Sequence, residues 1–435
     1  MERKMKDSGI PWIGVIPSDW NVNKINQLFS IIGSGTTPKA TNDSNFVGNI
    51  NWIQSGDING GFIVDCKNKI AEQVLSQYSA LKLYKQPFII VAMYGASVGN
   101  ISISKIDGCV NQACCVMGKS NQYFEFLFYA IKSAKDYLIY RAEGGGQPNI
   151  SQDKLKNLRI PLPPLPTQQR IADFLDRKCA EIDELAALQE TMIAELKRYK
   201  QSVITEAVTK GLDPNVPMQD SGVEWIGKTP EGWSVGRIKN VASLFGRIGF
   251  RGYTSDDLNK DGIGAITLSP SNMLPMSMDY TNVTYLSWKK YEESPEIKIQ
   301  NGDLLMVKTG SSYGKVSFVD NLPREATINP QILRIVPNIH SKYLGYFLQT
   351  PYFSFQVEGG VVGGTIPTIS QEKINNFHVI LPPLTEQRAI ADYLDRKCAE
   401  IDELIAIKQQ KIEALKEYKK SVIFEYVTGK KEVEE

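Results

Sequence analysis

Residues 171–185 read IADFLDRKCAEIDEL and residues 390–404 read IADYLDRKCAEIDEL, with Phe174 against Tyr393 as the one difference. Upstream, MKDSGIPWIGVIPSDW at 5–20 returns as MQDSGVEWIGKTPEGW at 218–233. The chain therefore repeats with a period of about 215 residues, far beyond the roughly 20–50 residues of a solenoid unit. Two long copies require two similar folded bodies, and two similar bodies imply two similar sites.

The alternation of segment types sets the organisation. Residues 1–160 and 212–380 are mixed in pattern, and residues 161–211 and 381–435 read as helix. Proline marks both junctions, IPLPPLP at 160–166 and ILPPL at 380–384, because proline disfavours helix before it and suits the first turn after it. Thr167 or Thr385 is then a candidate cap. Each helical pattern runs about 40 residues, or roughly 60 Å. A heptad reading puts Leu175, Ile182, Leu196 and Val203 at one seam position and Leu185, Met192 and Tyr199 at the other. The second copy supplies Leu394, Ile401, Leu415 and Val422, with Leu404 and Tyr418, and Gln189, Lys408 and Lys411 interrupt the seam. One apolar stripe on so long a helix needs a partner, and the other copy carries nearly the same stripe. A pseudo-twofold relation between the copies makes the pair antiparallel. The expected fold class is α+β: two similar domains joined by two long antiparallel helices that form a coiled-coil spacer.

Within the mixed segments, residues 88–103 and 303–319 read as strand, turn, strand, each with G-x-x-x-G at the turn: Gly95 and Gly99, then Gly310 and Gly314. The second turn falls one residue short of a phosphate-loop spacing, and Val316 stands where that loop needs a hydroxyl. Tyr94 in one copy, and Lys308, Ser311, Ser312, Tyr313 and Lys315 in the other, are candidates to face a polar ligand. A second candidate loop is IIGSGTTPKATND at 31–43 and FGRIGFRGYTSDD at 245–257. Thr36, Thr37 and Lys39, with Gln54 further on, offer hydroxyl, amide and cationic contacts in the first copy; Arg247, Arg251 and Tyr253 do so in the second. Arginine donates two parallel bonds to a guanine edge, and lysine contacts phosphate. These loops occupy equivalent places yet differ in chemistry, as expected of one scaffold that reads two different half-sites.

Charge and cysteine narrow the classes. The net charge is +1, but residues 1–160 hold 17 Lys and Arg against 12 Asp and Glu. A DNA binder acting alone usually carries more positive charge, so partners are expected to supply the rest. Six cysteines without a CxxC pair, and only His340 and His378, argue against zinc and against a thiol–histidine nucleophile. No apolar run reaches the roughly 20 residues of a membrane span, and the charged N-terminus is unlike a secretory signal, so a cytoplasmic protein is expected.

The proline-ended approach to IADFLDRKCAEIDEL, the W-I-G and Trp20 or Trp233 openings, and GGGQPNISQDKL and GTIPTISQEKI before each helix together resemble the specificity subunit of type I restriction–modification enzymes. The resemblance spans essentially the whole chain. It implies target-recognition domains at 1–160 and 212–380, each reading one half of a split double-stranded DNA sequence, with helices at 161–211 and 381–435 setting the gap. It also implies two methyltransferase subunits docked on the helices and two restriction–translocation subunits, with S-adenosylmethionine, ATP and magnesium bound by those partners and no cofactor, metal or catalytic residue here. The repeat-equivalent Asp176, Arg177, Glu181 and Asp395, Arg396, Glu400 are candidate docking residues, since two identical partners demand two identical faces. The chain agrees in lacking an N-P-P-[YF] or D-P-P-[YF] tetrapeptide and a Walker A loop. The alternative is a helix-bridged scaffold that binds two copies of a protein partner and no DNA.

Overall fold

The computed structural model describes residues 3–39, 43–142, 149–259, 261–363 and 366–433. Residues 40–42 of the first candidate loop, 144–148 of the glycine-rich segment and 364–365 of its counterpart lie outside the described residues. The chain forms two compact units, Met1–Glu190 with Gln410–Glu435 and Thr191–Gln409. Both cuts fall inside long helices, Leu165–Lys210 and Leu384–Val427. They also fall at repeat-equivalent positions, since Glu190 and Gln409 share the 219-residue offset of Ile171 and Ile390.

In the first unit a five-stranded sheet runs in the order Ile31–Gly33, Cys114–Gly118, Phe88–Ala92, Ile101–Ser104, Phe62–Ile63. Alternate residues serve opposite faces, the period-2 rule of a strand. Ile89, Val91, Ile101, Ile103, Cys115 and Met117 join the core formed with helix Phe124–Ser133, while Phe88, Ile90, Ala92, Cys114 and Val116 fill a second core on the other side. A smaller sheet places Ile50–Ile53 between Lys69–Ile70 and Cys109–Val110. The second unit repeats the plan with four strands, Ala242–Gly246, Ile332–Pro337, Leu304–Val307 and Val316–Phe318. Its smaller sheet includes the parallel pair Ala265–Leu268 and Ala326–Ile328.

The helix starts differ from the threonine cap. Both helices begin at leucine, and Gln168 and Gln387 secure the turn from inside. Gln168 Nε2 donates to the Pro163 carbonyl at 2.8 Å, and its Oε1 accepts from Tyr123 N at 3.0 Å. Gln387 does the same with Pro382 at 2.8 Å and His340 N at 3.1 Å. At 46 and 44 residues the helices extend roughly 69 and 66 Å.

In the first unit the two helices run antiparallel: the rings of Phe174 and Tyr426 lie 4.3 Å apart, and Lys419 Nζ donates to Asp183 at 2.6 Å. The second unit repeats the ion pair between Lys200 and Asp402 at 2.6 Å. The seam phase corrects the heptad reading. Leu175, Ile182 and Val203 are buried as expected, but the alternate positions are Cys179, Ile193 and Ala207, four residues after Leu175, Gln189 and Val203 rather than three. Leu185 is 48% exposed and Tyr418 50%, as are Tyr199 and Leu404 to similar degrees. Gln189 interrupts nothing: it sits on the seam, 4% exposed.

Each W-I-G opening cradles the end of the other repeat's helix. Gly429 (φ +69°) follows the second helix, and a Cβ there would fall 2.5 Å from the Pro17 ring and 3.0 Å from Trp20. Gly211 (φ +78°) ends the first helix against Trp233 at 3.3 Å. Positive φ and close contact both call for glycine.

Candidate nucleic-acid interface

Each unit gathers three turns at one end of its sheets. The parallel pair sets the first. Asn111 N donates to the Ile53 carbonyl at 3.2 Å, and Asn329 N to that of Leu268 at 3.0 Å. Each asparagine then closes an Asx turn, Oδ1 accepting from Ala113 N at 3.1 Å and from Gln331 N at 3.0 Å. The glycine turn is stitched alongside, Met93 N to the Ala113 carbonyl and Lys308 N to the Gln331 carbonyl, both at 2.8 Å. The segment before each long helix closes the group: Ile150 N donates to Met93 O at 2.7 Å, and Ile369 N to Lys308 O at 2.9 Å. Gly95 (φ +84°) and Gly310 (φ +102°) allow the tight turn.

In the first unit two of the expected residues, Thr37 and Tyr94, converge on Gln112. Thr37 Oγ1 donates to Gln112 Oε1 and Tyr94 OH to the Gln112 carbonyl, both at 2.6 Å. Burial pushes the Tyr94 phenol up, so it is a neutral donor at neutral pH. Gln54 follows the strand that carries Ile53 and so borders the same turn, with its backbone N–H bonded to Asp57 Oδ2 at 2.8 Å. Thr36 is half-buried in the same loop, and Lys39 is exposed, its backbone N–H bonded to Tyr78 OH at 3.1 Å.

In the second unit the gathering is partial. Ser311 and Ser312 are exposed on the turn and Tyr313 is half-buried. Lys315 Nζ reaches the Pro270 carbonyl at 3.3 Å. Lys308 takes the place of Met93, and burial holds its ammonium below the usual lysine range. Arg247 is turned inward, 7% exposed. It donates from Nε and Nη2 to Ile328 O at 3.2 and 3.0 Å and from Nη2 to Thr327 Oγ1 at 3.0 Å. The expectation that it reaches a base edge gives way to a bracing role beneath the Asn329 turn, because its donors serve the protein. Arg251 pairs with Glu296 at 3.4 Å and is half-buried. Tyr253 lies 5.0 Å under the Arg247 guanidinium, and its hydroxyl is 3.4 Å from Thr267 Oγ1.

The reading of residues one by one missed Gln112 and Gln331. Both lie in short N-Q-A and N-P-Q stretches between apolar strands, and aligning the repeats through the strands would have exposed the shared asparagine.

The helix faces separate the docking candidates into two roles. Asp176 Oδ1 accepts from Tyr129 OH at 2.7 Å and Asp395 Oδ1 from Tyr346 OH at 2.8 Å, with Lys342 also on Asp395. These carboxylates tie each helix to its own unit, and both tyrosines are held well above their usual range, first by burial and then by the carboxylate bond. Arg177, Glu181, Arg396 and Glu400 are exposed. Glu181 pairs with Lys178 at 2.9 Å and Glu400 with Lys397 at 3.0 Å. Beside them stand the half-exposed Leu185, Leu188 and Tyr418 in one unit, and Leu404, Ile407 and Tyr199 in the other.

All six thiols are buried. Among the described residues no cluster of His, Cys, Asp or Glu is placed to hold a metal ion, and no helix is long and apolar enough to cross a membrane.

The family description "Type I restriction modification DNA specificity domain" matches residues 17–198 and again 230–417. The chain is 24% identical over 430 residues to the type I restriction enzyme MjaVIII specificity subunit of Methanocaldococcus jannaschii, covering 95% of this chain and 93% of that protein. It is 24% identical over 206 residues to the EcoKI specificity subunit of Escherichia coli, covering 47% and 44%. Among solved structures, one described for complex assembly and conformational transition of the type I R-M system aligns with TM-score 0.72 at 19% identity, covering 95% of this chain and 99% of that one. The HsdS subunit from Thermoanaerobacter tengcongensis aligns with TM-score 0.51 at 19% identity, covering 95% and 98%.

Proposed function

The chain belongs to the type I restriction–modification DNA specificity family, and we propose that it is the non-catalytic DNA-reading subunit of such a complex. It reads a split target, with residues 1–160 on one half-site and 212–380 on the other. The observation that carries this reading is a contrast. The Asx turn, the glycine turn and the bracing segment recur bond for bond in both units, while the side chains mounted on them differ. One scaffold bearing unlike polar groups is what two unlike half-sites require.

Thr36, Thr37, Lys39, Gln54 and Tyr94 serve the first half-site. Arg251, Tyr253, Lys308, Ser311, Tyr313 and Lys315 serve the second, and Arg247 braces their loop from beneath. Two methyltransferase subunits dock on the long helices through Arg177 and Glu181 and through Arg396 and Glu400, with the half-exposed leucines and tyrosines beside them as apolar anchors. Asp176 and Asp395 hold those faces in place. Two restriction–translocation subunits complete the assembly, in the cytoplasm of a bacterium or archaeon. S-adenosylmethionine, ATP and magnesium belong to the partners.

Sequencing adenine methylation in cells that carry this chain with its methyltransferase tests the reading. The expected motif is bipartite, with a non-specific gap of roughly 5–8 base pairs from half-sites about one helical turn apart. A continuous motif would sink it.

A further inference from the structure

Gln112 and Gln331 share an arrangement that no function above uses. Each is exposed on the Asx turn that ends the parallel strand pair of its unit. The asparagines are structural equivalents, Asn111 and Asn329, but the glutamines are one step out of register: Gln331 stands where the first unit has Ala113, and Gln112 where the second has Pro330. The same kind of side chain therefore leaves the same turn from two different points.

Each glutamine is also oriented. Thr37 Oγ1 donates to Gln112 Oε1 at 2.6 Å, and Asn329 Nδ2 donates to Gln331 Oε1 at 3.3 Å. With the carbonyl oxygen engaged, the Nε2 hydrogens of both are left without a protein acceptor among the described residues. The glycine turns leave room beside them, since an ideal Cβ on Gly310 would stand 3.4 Å from Gln331 Nε2. The seat is stiff: the turn is fixed to the strand end, to the glycine turn and, in the first unit, to the Tyr94 hydroxyl.

We propose that Gln112 and Gln331 are specificity-determining residues, one per half-site, each donating from Nε2 to an acceptor on a base edge. This rests on the DNA-reading function proposed above. Guanine O6 and N7, adenine N7 and thymine O4 are the acceptors such a donor meets in the major groove, and cytosine presents an amino donor there instead. Each half-site therefore contains one position at which the strand facing the donor carries a base with a major-groove acceptor, and cytosine on that strand is rejected. The one-residue offset places the two donors differently over their turns, so the required position falls at a different depth in each half-site.

The test uses the full-length chain with its methyltransferase and a panel of duplexes carrying every single-base change in the mapped motif. In the wild-type complex each required position carries a binding penalty for cytosine of roughly 5- to 150-fold. Gln112→Ala removes that penalty at one position of one half-site, and Gln331→Ala at one position of the other, with all remaining penalties retained. Gln112→Glu and Gln331→Glu keep an oxygen for Thr37 or Asn329 but replace the donors with an acceptor, so cytosine becomes preferred at the same position. A new preference confined to one base cannot arise from misfolding. Penalties unchanged in the alanine and glutamate variants overturn the proposal, and so does a uniform loss across both half-sites. A wild-type motif that is continuous defeats the DNA-reading function itself, before any variant is made.

Discussion

In the first unit Phe88 and Val116 belong to an apolar core beneath the sheet; in the second the same strand positions hold Asp303 and Arg334 as a buried ion pair, Nε to Oδ2 at 2.7 Å. The opposite face of the same sheets, packed toward the long helices, stays apolar in both, with Ile89, Val91 and Met117 in one unit and Leu304, Met306 and Ile335 in the other. The two units have thus diverged by face. The surface that meets the helices is the same in kind. The surface on the far side keeps an apolar core, with Leu305 and Val307 in the places of Ile90 and Ala92, but exchanges Phe88 and Val116 for the ion pair.

The largest test of that contrast is the ion pair. Arg334→Met leaves Asp303 buried without its partner and should cost about 3–5 kcal/mol, measured by denaturant unfolding. The double change Arg334→Val with Asp303→Phe, which copies the first unit, should recover most of it. Failure to recover would mean that the two far faces are not interchangeable.

Alkaline titration separates the units next. Five of the six cysteines belong to the first unit. Burial raises Cys109 to about 11 and Cys114 and Cys115 to about 12. The folded state keeps these protons after the unfolded chain has lost them near pH 9, so stability is intact below that pH and falls as pH rises, by up to ~1.4 kcal/mol per thiol per pH unit. Lys132 opposes this: burial lowers it to about 8, so its contribution rises between pH 8 and 10.5. Three thiols outweigh one amine, and from pH 9 to 10 the first unit should lose about 2 kcal/mol net. Hydrogen exchange across that range should loosen strands Phe88–Ala92 and Cys114–Gly118 before Leu304–Val307 and Ile332–Pro337. Simultaneous loosening would count against it.

The smallest difference concerns the helix ends. Gly429→Ala forces a positive φ on alanine and drives its Cβ into Pro17, at a cost of about 2–3 kcal/mol. Gly211→Ala meets only the looser contact with Trp233 and should cost about 1–2 kcal/mol. Thermal unfolding of the two variants orders them, and equal shifts would show that the cradles grip alike.

Much of this architecture was legible because duplication doubles every signal. The long helices, their proline-marked starts and the glycine hairpins each occur twice, so chance similarity was easy to discount. The seam phase was not legible. Leu185, Tyr199, Leu404 and Tyr418 are bulky and periodic, whereas the true alternates include Cys179, Ala207 and Cys398, whose small side chains carry little hydrophobic signal. Helix periodicity admits three or four residues to the next seam position, and only packing chooses. The candidate loops were chosen by their composition, and composition does not tell an arginine that faces outward from one, like Arg247, that is consumed by two strand-end groups. Gln112 and Gln331 escaped because their significance lies in an asparagine two or fewer residues before them, a relation visible only after strands are superposed.

The cuts inside both helices impose an order of manufacture. A ribosome emits residues 191–409 as one unbroken stretch, so the second body has all its parts once Gln409 clears the exit tunnel. The first body, begun earlier, still lacks the segment from Gln410 onward that fills its Trp20 cradle and lies against Phe174. The half synthesised first is therefore the half finished last, and its oily notch stays open to chaperones for the whole time its sibling is being made.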